Sequence, residues 1–390
     1  MEIHSFKDTL AFIKKYGNIP QKCKNFEKNF LNYLDLYSDE QKIIVMHEMT
    51  RYDYSRQILC SFRYSISKSF KMEAALNVIK DMDFEKGLNY LSELYSMPFF
   101  LVERLDQFNF LHCLFKYNKY EYICTNIDII LSYINIDYFI ECYLPKFNNI
   151  TPEMLSKIRY AIVSKIALGA INREVYNKAP IKAFDYQTLN ALSILFDEIS
   201  KNENTSFTEL RYIDAHGFFS KVYKLGNKVI KIGIPRVTYE IPYHRRLLQP
   251  LIRREILKGQ LYIEISEYLD SGRRITEEDV YLVFKELRDD GILWFDPTPD
   301  NLGRLKKNNI IHFKSPLNIE NDSVGFLPSE SKNNQVLSKG DLIIIDLDFL
   351  FKENDYENIN RARKVIELDN FYKYERRYQK EKSKNEKEEK

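Results

Sequence analysis

The chain has 390 residues, of which 44% are hydrophobic, and it carries 58 Lys+Arg against 56 Asp+Glu for a formal net charge of +2. This length predicts two or three domains, each large enough to bury its own core. The near-neutral charge excludes a strongly basic nucleic-acid binder, and the composition excludes a highly charged disordered chain. We therefore expect a globular protein without a nucleic-acid partner.

The cysteines and the apolar segments predict in which cellular compartment the protein resides. The five cysteines are odd in number and widely spaced, and no pair has metal-ligand spacing. No uncharged apolar run approaches the roughly 20 residues of a membrane span, and the N-terminus lacks the basic-then-apolar layout of a secretory signal. We expect reduced thiols, a cytoplasmic location and no membrane partner.

Glycine usage divides the chain near its middle. Only Gly17, Gly87 and Gly169 lie in the first half, whereas the other nine of the 12 glycines lie in the second. A glycine-poor half predicts helices, and a glycine-richer half predicts turns, strands and ligand loops. The polar stretch 201–206 lies at the change and is the best linker candidate.

Helical periodicity supports an all-α first half. Apolar side chains recur at helical spacing over 72–79 and again over 84–95, which predicts a helical hairpin. Thr151 followed by Pro152 is typical of a helix start, with a capping hydroxyl and a proline in the first turn. These helices fit either a bundle or an α-solenoid.

Two strands joined by a tight turn are predicted early in the second half. Residues 218–225 and 228–232 are strand-like, and a Gly-Asn turn at 226–227 separates them. The small-residue turn at Gly217 lets backbone N–H groups approach phosphate oxygens, and Lys231 would place a fixed ammonium beside them.

This segment resembles the glycine-rich loop and the strand lysine of the protein-kinase-like superfamily. The resemblance implies that Gly217 is the middle glycine of the loop, that Ser220 stands at the position of the last glycine, and that Val222 covers the adenine. Ala215 replaces the first glycine. Lys231 matches the lysine that holds the α- and β-phosphates of ATP.

A hinge between two lobes is implied farther along the chain. Residues 251–257 and 261–269 predict another strand pair. The segment from Glu267 to Gly272 resembles the kinase hinge, where backbone groups bind adenine. The resemblance therefore makes Glu267 and Leu269 adenine-binding positions.

A segment that resembles a catalytic loop follows a predicted helix, which Thr276 would cap. Asp296 and Asn301 are five residues apart, as the Asp and the Asn are in the kinase pattern H-R-D-x-x-x-x-N. The resemblance implies that Asp296 orients the acceptor hydroxyl and that Asn301 binds a metal ion.

An apolar strand that ends in carboxylates resembles the metal-binding D-F-G segment of kinases. It runs over 342–349, and Asp346 matches the metal-binding aspartate. Asp348 stands in place of the glycine. The resemblance implies that Asp348 assists as a second metal ligand, because an acidic residue there is similar to the small-molecule kinase branch.

The chain departs from the family pattern at several positions. Trp294 and Phe295 replace the His and Arg before the catalytic aspartate, and Thr298 replaces a lysine that many protein kinases carry. The polar residues 306–338 form an insertion that we predict to be a flexible hairpin or lid, with disorder as the alternative. No A-P-E motif follows, so the helical lower lobe is expected to be reduced.

Two glutamates are candidates for the carboxylate that pairs with Lys231 in this family. Glu240 is the only acidic residue between Lys231 and the second strand pair. Glu255 is the alternative, on a predicted strand. Both stay open at this point.

The whole resemblance covers about residues 207–350. We predict an α+β protein with an all-α domain over 1–200 and a compact, two-lobed, protein-kinase-like domain over 207–390. The resemblance implies an atypical bacterial-type kinase that uses ATP and Mg²⁺ to phosphorylate a hydroxyl of a protein or a small molecule. One alternative is a catalytically inactive pseudokinase that senses nucleotide or binds a protein partner through its helical domain. A helical scaffold with an unrelated α+β domain is the other.

Overall fold

The computed structural model describes most of the chain. The described residues are 5–62, 72–95, 107–171, 186–213, 220–233, 244, 246–247, 252–257, 261–271, 275–304, 340–346, 349–364 and 366–388. Gly217, Glu240, Asp348 and the insertion 306–338 lie outside these ranges, so what the sequence predicts for them stays a prediction.

The protein is a mixed α+β chain that divides into two compact units, Met1–Ile162 and Val163–Lys390. The division falls inside a long helix, Pro152–Ile171. It therefore lies upstream of the polar stretch 201–206, which belongs to the second unit. Within the described ranges, no helix is both long enough and apolar enough to cross a bilayer.

The described secondary structure of the first unit is helical. In chain order the helices are α1 Phe6–Tyr16, α2 Pro20–Asp35, α3 Asp39–Thr50, α4 Asp53–Ser61, α5 Met72–Val78, α6 Phe84–Tyr95, α7 Gln107–Lys116, α8 Tyr120–Thr125, α9 Ile127–Tyr133, α10 Ile136–Cys142 and α11 Pro152–Ile171, which continues into the second unit. The two helices of the predicted hairpin are confirmed as α5 and α6. The predicted start of α11 is confirmed too, because Met154 N–H donates to the Thr151 hydroxyl at 3.2 Å.

The core of the first unit is built around α3. Helices α1, α4, α5 and α6 all pack on it, and it buries residues almost continuously from Ile43 to Met49. A helix that is buried on all sides carries apolar residues all round rather than on one stripe. The absence of a clear stripe in α3 therefore follows from its central position.

The second unit combines a five-stranded sheet with short ladders and helices. Its elements after α11 are α12 Tyr186–Asn202, β1 Arg211–Ile213, β2 Ser220–Leu225, β3 Lys228–Gly233, β4 Ile252–Leu257, β5 Leu261–Glu267, β6 Asp270–Ser271, α13 Glu277–Asp289, β7 Ile292–Trp294, β8 Leu302–Arg304, β9 Leu342–Ile344, β10 Leu350–Lys352, α14 Tyr356–Ala362 and α15 Asp369–Glu388. The predicted strand pair of the hairpin is confirmed as β2 and β3. Its turn uses Gly226 at φ +60°, which glycine adopts without a Cβ penalty.

The five-stranded sheet has the order β1-β2-β3-β5-β4, and all neighbouring strands are antiparallel. Side chains along each strand alternate between its two faces. One face is buried and carries side chains such as Tyr223, Ile230 and Ile265. The other face is half-buried and carries Val222 and Lys231. Lys231 therefore lies on the more accessible face.

A hydrophobic core is shared by α13, β7, β8, β9, β10, α14 and α15. β7 pairs with β10, and β6, β8 and β9 form a three-stranded sheet. Trp294 and Phe295 are fully buried in this core. The Phe295 ring lies 5.3 Å from the Phe351 ring and 4.8 Å from the Phe371 ring, between centroids. Burial thus explains why two large apolar residues directly precede Asp296.

Candidate functional site

Two short ladders hold the predicted catalytic and metal-binding loops side by side. β7, which precedes Asp296, pairs with β10, which follows Asp346. β8, which follows Asn301, pairs with β9, which precedes Asp346. Both connections, from β7 to β8 and from β9 to β10, therefore run between the same two ladders. The strand pairing brings the two segments together. No local sequence pattern predicts which strands pair in this way.

Backbone hydrogen bonds extend both ladders into the loops. Phe295 N–H donates to Phe349 O at 3.0 Å, and Ile345 N–H donates to Asn301 O at 2.9 Å. Phe349 has φ +65°, a left-handed conformation that a bulky residue keeps only when its surroundings impose it. The main chain on either side of Asp346 is thus fixed by bonds to the other loop.

Asn301 and Asp296 are joined by hydrogen bonds. Asn301 Nδ2 donates to Asp296 Oδ2 at 2.9 Å and to the Asp296 carbonyl oxygen at 3.0 Å. The amide therefore turns its donor side toward Asp296. Its oxygen, Asn301 Oδ1, accepts no hydrogen bond from a residue in the described ranges. That oxygen is available as a ligand for a cation.

Lys231 connects the five-stranded sheet to the loops. Its Nζ lies 3.2 Å from Asp346 Oδ1, although the two residues are 115 positions apart in the sequence. The side chains are 27% and 39% exposed, so a ligand can reach the pair. An ion pair this accessible contributes only about 0–1 kcal/mol to folding, so stability alone does not account for it.

Two further residues predicted to bind nucleotide lie on β2. Val222 is the register partner of Lys231 on the neighbouring strand, and Ser220 is the partner of Gly233. Both side chains are half-buried and share the Lys231 face of the sheet. The sheet therefore places Ser220 and Val222 beside the lysine, as the sequence pattern predicts.

The Glu267 side chain lies on the opposite face of the sheet from Lys231. Its carboxylate binds Lys228 Nζ, which also lies 2.9 Å from Glu203 Oε1. Burial opposes the charged form of Lys228, but the bonds to Glu267 and Glu203 outweigh it and raise the pKa of Lys228. The Glu267 carboxylate is therefore a structural partner of Lys228, and only its backbone lies at the predicted hinge position.

Leu269, the second predicted hinge residue, is buried beside β8. A Cβ on Gly303 would lie 2.5 Å from the Leu269 Cβ, so only glycine permits this close approach. The backbone of the hinge also pairs with β8 through Asp270 and Arg304. Because β8 follows Asn301 directly, these contacts join the predicted hinge to the candidate site.

His244 and Arg246 hold the backbone beside the candidate site, and no sequence motif identifies them. Arg246 donates through Nε to Glu286 Oε2 at 2.9 Å and through Nη1 to Leu342 O at 3.3 Å. Arg246 O accepts the Ile344 N–H bond at 2.6 Å, and His244 Nδ1 accepts the Arg246 N–H bond at 3.1 Å. This segment therefore holds β9, the strand that leads to the candidate metal ligand.

The donor set of the site fits Mg²⁺ bound together with a nucleotide. In the part of the chain that the structure describes, no group of three or more His, Cys, Asp or Glu side chains could hold a metal ion. Mg²⁺ in nucleotide-dependent enzymes needs only one or two protein carboxylates, because phosphates and water complete its octahedron. The Asp346 carboxylate and the Asn301 amide oxygen provide such ligands. A metal bound by protein groups alone would fit this set poorly.

Comparison with known proteins gives no match: no family model, no curated protein and no solved structure matches this chain. What the chain can do chemically follows from the contacts among Lys231, Asp346, Asn301 and Asp296. Lys231 pairs with Asp346, Asn301 pairs with Asp296, and the backbone bond from Ile345 to Asn301 joins the two loops that carry these pairs. That combination suits a ligand with several phosphates and a bound cation.

Proposed function

We propose that this chain is an atypical kinase of the protein-kinase-like type, which transfers the γ-phosphoryl group of ATP to a hydroxyl of a protein or a small molecule. The observation that carries the proposal is the contact between Lys231 and Asp346 at 3.2 Å. In kinases the strand lysine and the metal-binding aspartate act on the same nucleotide phosphates. Two residues chosen by separate motifs are therefore neighbours.

Each residue of the site has one role in the proposed reaction. Lys231 neutralises charge on the α- and β-phosphates, and Asp346 and Asn301 hold Mg²⁺. The metal ion, when bound, offsets the negative charge of the phosphates. Asp296 accepts or orients the proton of the acceptor hydroxyl, and the hydrogen bond from Asn301 holds its carboxylate in place. Catalysis then rests on positioning and charge neutralisation.

The secondary-structure context supports the proposal. Lys231 lies on β3, as the corresponding lysine does in protein kinases, and the predicted hinge follows β5 of the same sheet. We propose a two-lobed domain on this basis. The five-stranded sheet would form one lobe, and the short ladders with α13, α14 and α15 would form a reduced second lobe.

A catalytically inactive pseudokinase is the second candidate function. The observation that favours it is that two buried apolar residues, Trp294 and Phe295, stand where the kinase pattern has His and Arg. Such a protein would bind nucleotide as a signal and act through a protein partner on its helical unit. The two functions differ in phosphoryl transfer, so one measurement separates them.

Removal of the Lys231 ammonium tests nucleotide binding. Mg·ATP at 100 times its Kd should stabilise the wild-type protein by about 2.7 kcal/mol, because the ligand binds only the folded state. Lys231→Ala should lose most of this gain, measured as the shift in Tm with and without Mg·ATP. Lys352→Ala is the matched control, since Lys352 is an exposed strand lysine, and it should keep the shift. A wild-type Tm that does not respond to Mg·ATP contradicts both candidate functions.

Replacement of Asp296 separates the enzyme from the pseudokinase. Asp296→Asn removes the carboxylate that faces the acceptor but keeps an oxygen for the Asn301 bond, so affinity for Mg·ATP should survive. Transfer of label from γ-labelled ATP should fall about hundredfold, as for a lost acid–base group. Asp300→Asn changes an exposed neighbour and should leave transfer intact. A wild-type protein that binds Mg·ATP but labels neither itself, other proteins nor small hydroxyl compounds would be the pseudokinase.

A further inference from the structure

Glu203 directly follows α12, at a helix end that backbone hydrogen bonds fix. The next residue, Asn204, has φ +50°, a left-handed conformation that is common where helices end. Thr205 N–H then donates to Ser200 O at 3.0 Å, which satisfies one of the last carbonyl groups of the helix. The polar stretch 201–206 thus begins with a hydrogen-bonded helix end, and Glu203 has a defined position in it.

The Glu203 side chain packs on the turn between β2 and β3 and accepts a hydrogen bond from it. Gly226 comes so close that a Cβ there would lie 2.5 Å from the Glu203 Cβ. Asn227 N–H donates to Glu203 Oε2 at 3.0 Å. A residue larger than glycine would push the turn away from the helix end, so these contacts hold the two in one arrangement.

The same carboxylate is connected to the predicted hinge by two ion pairs. Glu203 Oε1 lies 2.9 Å from Lys228 Nζ, and Lys228 also contacts the Glu267 carboxylate. The three side chains are only 9–12% exposed, so solvent screens these charges little. Tyr268 N–H, beside Glu267, donates to Asn227 O at 2.7 Å. The hinge is therefore bound to the turn by its backbone and to the helix end by charge.

This group of charges fixes geometry more than it adds stability. Compared with apolar residues of similar volume, buried ion pairs often add no net stability, because removing charges from water offsets their attraction. Charge-assisted hydrogen bonds do, however, restrict the positions of the groups they join. In the proposed kinase, adenine binds to backbone groups at Glu267 and Leu269. Such hydrogen bonds weaken steeply when their geometry is distorted, so the position of the hinge backbone controls adenine affinity.

We propose that Glu203 is a positioning residue that holds the backbone of the predicted hinge in place for adenine. This inference rests on the proposed nucleotide-binding function and deepens it. It adds a residue that lies before the kinase-like segment 207–350. Glu203 acts through Lys228 and through the turn at Asn227, and it does not itself contact the nucleotide.

The test compares ligands that contain adenine with one that contains only phosphates. Glu203→Gln keeps an oxygen for the Asn227 N–H bond but removes the charge that pairs with Lys228. Titration of the full-length protein should give a Kd about fivefold higher for both Mg·ATP and adenosine, the scale of one lost hydrogen bond, and an unchanged Kd for Mg·tripolyphosphate. Asp197→Asn is the matched control, because Asp197 lies on the same helix and pairs with Lys201. It should leave all three Kd values unchanged.

A neutral version of the three residues separates positioning from stability. The triple variant of Glu203→Gln, Lys228→Met and Glu267→Gln leaves no unpaired buried charge among them, so its free energy of unfolding should be close to that of the wild type. Its Kd for adenosine should nevertheless stay about fivefold higher, because no ion pair connects the helix end to the hinge.

Three results would overturn the inference. They are an adenosine Kd that Glu203→Gln leaves unchanged, an equal loss of affinity for Mg·tripolyphosphate, and wild-type adenosine affinity in the triple variant. Each of these leaves the proposed function intact, whereas a wild-type protein that does not bind Mg·ATP overturns both.

Discussion

Different kinds of side-chain contact stand out in the two units of the protein. In the first unit, aromatic rings pack between helices, and Phe84 stacks on Phe110 with ring centroids 5.1 Å apart. In the second unit, charged side chains join elements that are distant in the sequence, as Lys231 and Asp346 do. The helical unit therefore depends mainly on apolar volume, while the site depends on particular pairs of charges.

This difference means that stability and chemistry depend on different residues. Apolar contacts are numerous and non-directional, so their loss lowers the free energy of unfolding in proportion to the volume removed. A charge pair is directional, and its partner is fixed by the fold. Core substitutions in the helical unit should therefore change stability alone, whereas charge substitutions in the second unit should divide into structural and functional ones.

The largest change in stability is expected from a core substitution in the helical unit. Phe84 is fully buried and begins α6, so Phe84→Ala should lower the free energy of unfolding by about 3–5 kcal/mol. The measurement is urea denaturation followed by circular dichroism at the helical band. Below the transition, affinity for Mg·ATP should equal that of the wild type. An affinity loss that matches the Lys231→Ala variant would show that the core of the helical unit also controls the candidate site.

A smaller loss is expected when a buried charge is removed from the second unit. Lys228 lies between Glu203 and Glu267, and Lys228→Met leaves two carboxylates without their cation. This change should cost about 3 kcal/mol. The chain has one tryptophan, Trp294, which is buried in the second unit. Its fluorescence therefore reports the denaturation of that unit.

The control for this change also replaces a lysine by methionine, but at an exposed position. Lys352→Met removes an exposed lysine of the same unit and should shift the Trp294 transition by less than about 0.5 kcal/mol. The double variant of Lys228→Met with Glu267→Gln should regain part of the loss, since one unpaired carboxylate is removed. Equal effects of Lys228→Met and Lys352→Met would show that the buried charge pair carries no stability.

The smallest effect is expected at the cap of α13, where it depends on pH. Burial opposes the ionised form of Asp279, but bonds from Thr276 and Arg304 outweigh it and lower the pKa of Asp279 below 3.8. The stabilisation is therefore present above pH 3.8 and is lost as the pH falls through the depressed value. Asp279→Asn should cost about 1 kcal/mol at neutral pH.

The pH dependence distinguishes this cap from a general effect of acid. The difference in unfolding free energy between wild type and Asp279→Asn should shrink as the pH falls below 3.8, and acid titration of the Trp294 signal measures it. Glu367→Gln, at an exposed position, should show no such convergence. A constant difference between pH 7 and pH 3 would mean that ionisation of Asp279 contributes nothing to the cap.

Local signals in the sequence were sufficient for most individual elements. Thr276 and Asp279 form the capping box that begins α13, and this box is visible as two residues three apart. The Gly-Asn turn at 226–227 and the strands on either side of it follow from local chain preferences. Such elements could be predicted because the interactions that define them are made within a few residues.

Burial in the tertiary structure explains the residue types at positions where local sequence patterns do not. α3 carries no clear apolar stripe because four helices surround it. Trp294 and Phe295 are large and apolar because they fill a core, in which the Phe351 and Phe371 rings lie against Phe295. In both cases most of the neighbours come from other parts of the chain, so no short window of sequence contains all of them.

The sequence by itself determined which residues are candidates for chemistry, since Asp296 and Asn301 are recognised by spacing and Lys231 and Asp346 by their strands. Only the tertiary structure decided which of them meet and to which face of the sheet each side chain turns. Strand register fixes this choice, because a shift of one residue turns every side chain to the other face. Lys231 therefore faces the candidate site, and Lys228, three residues earlier, faces the core.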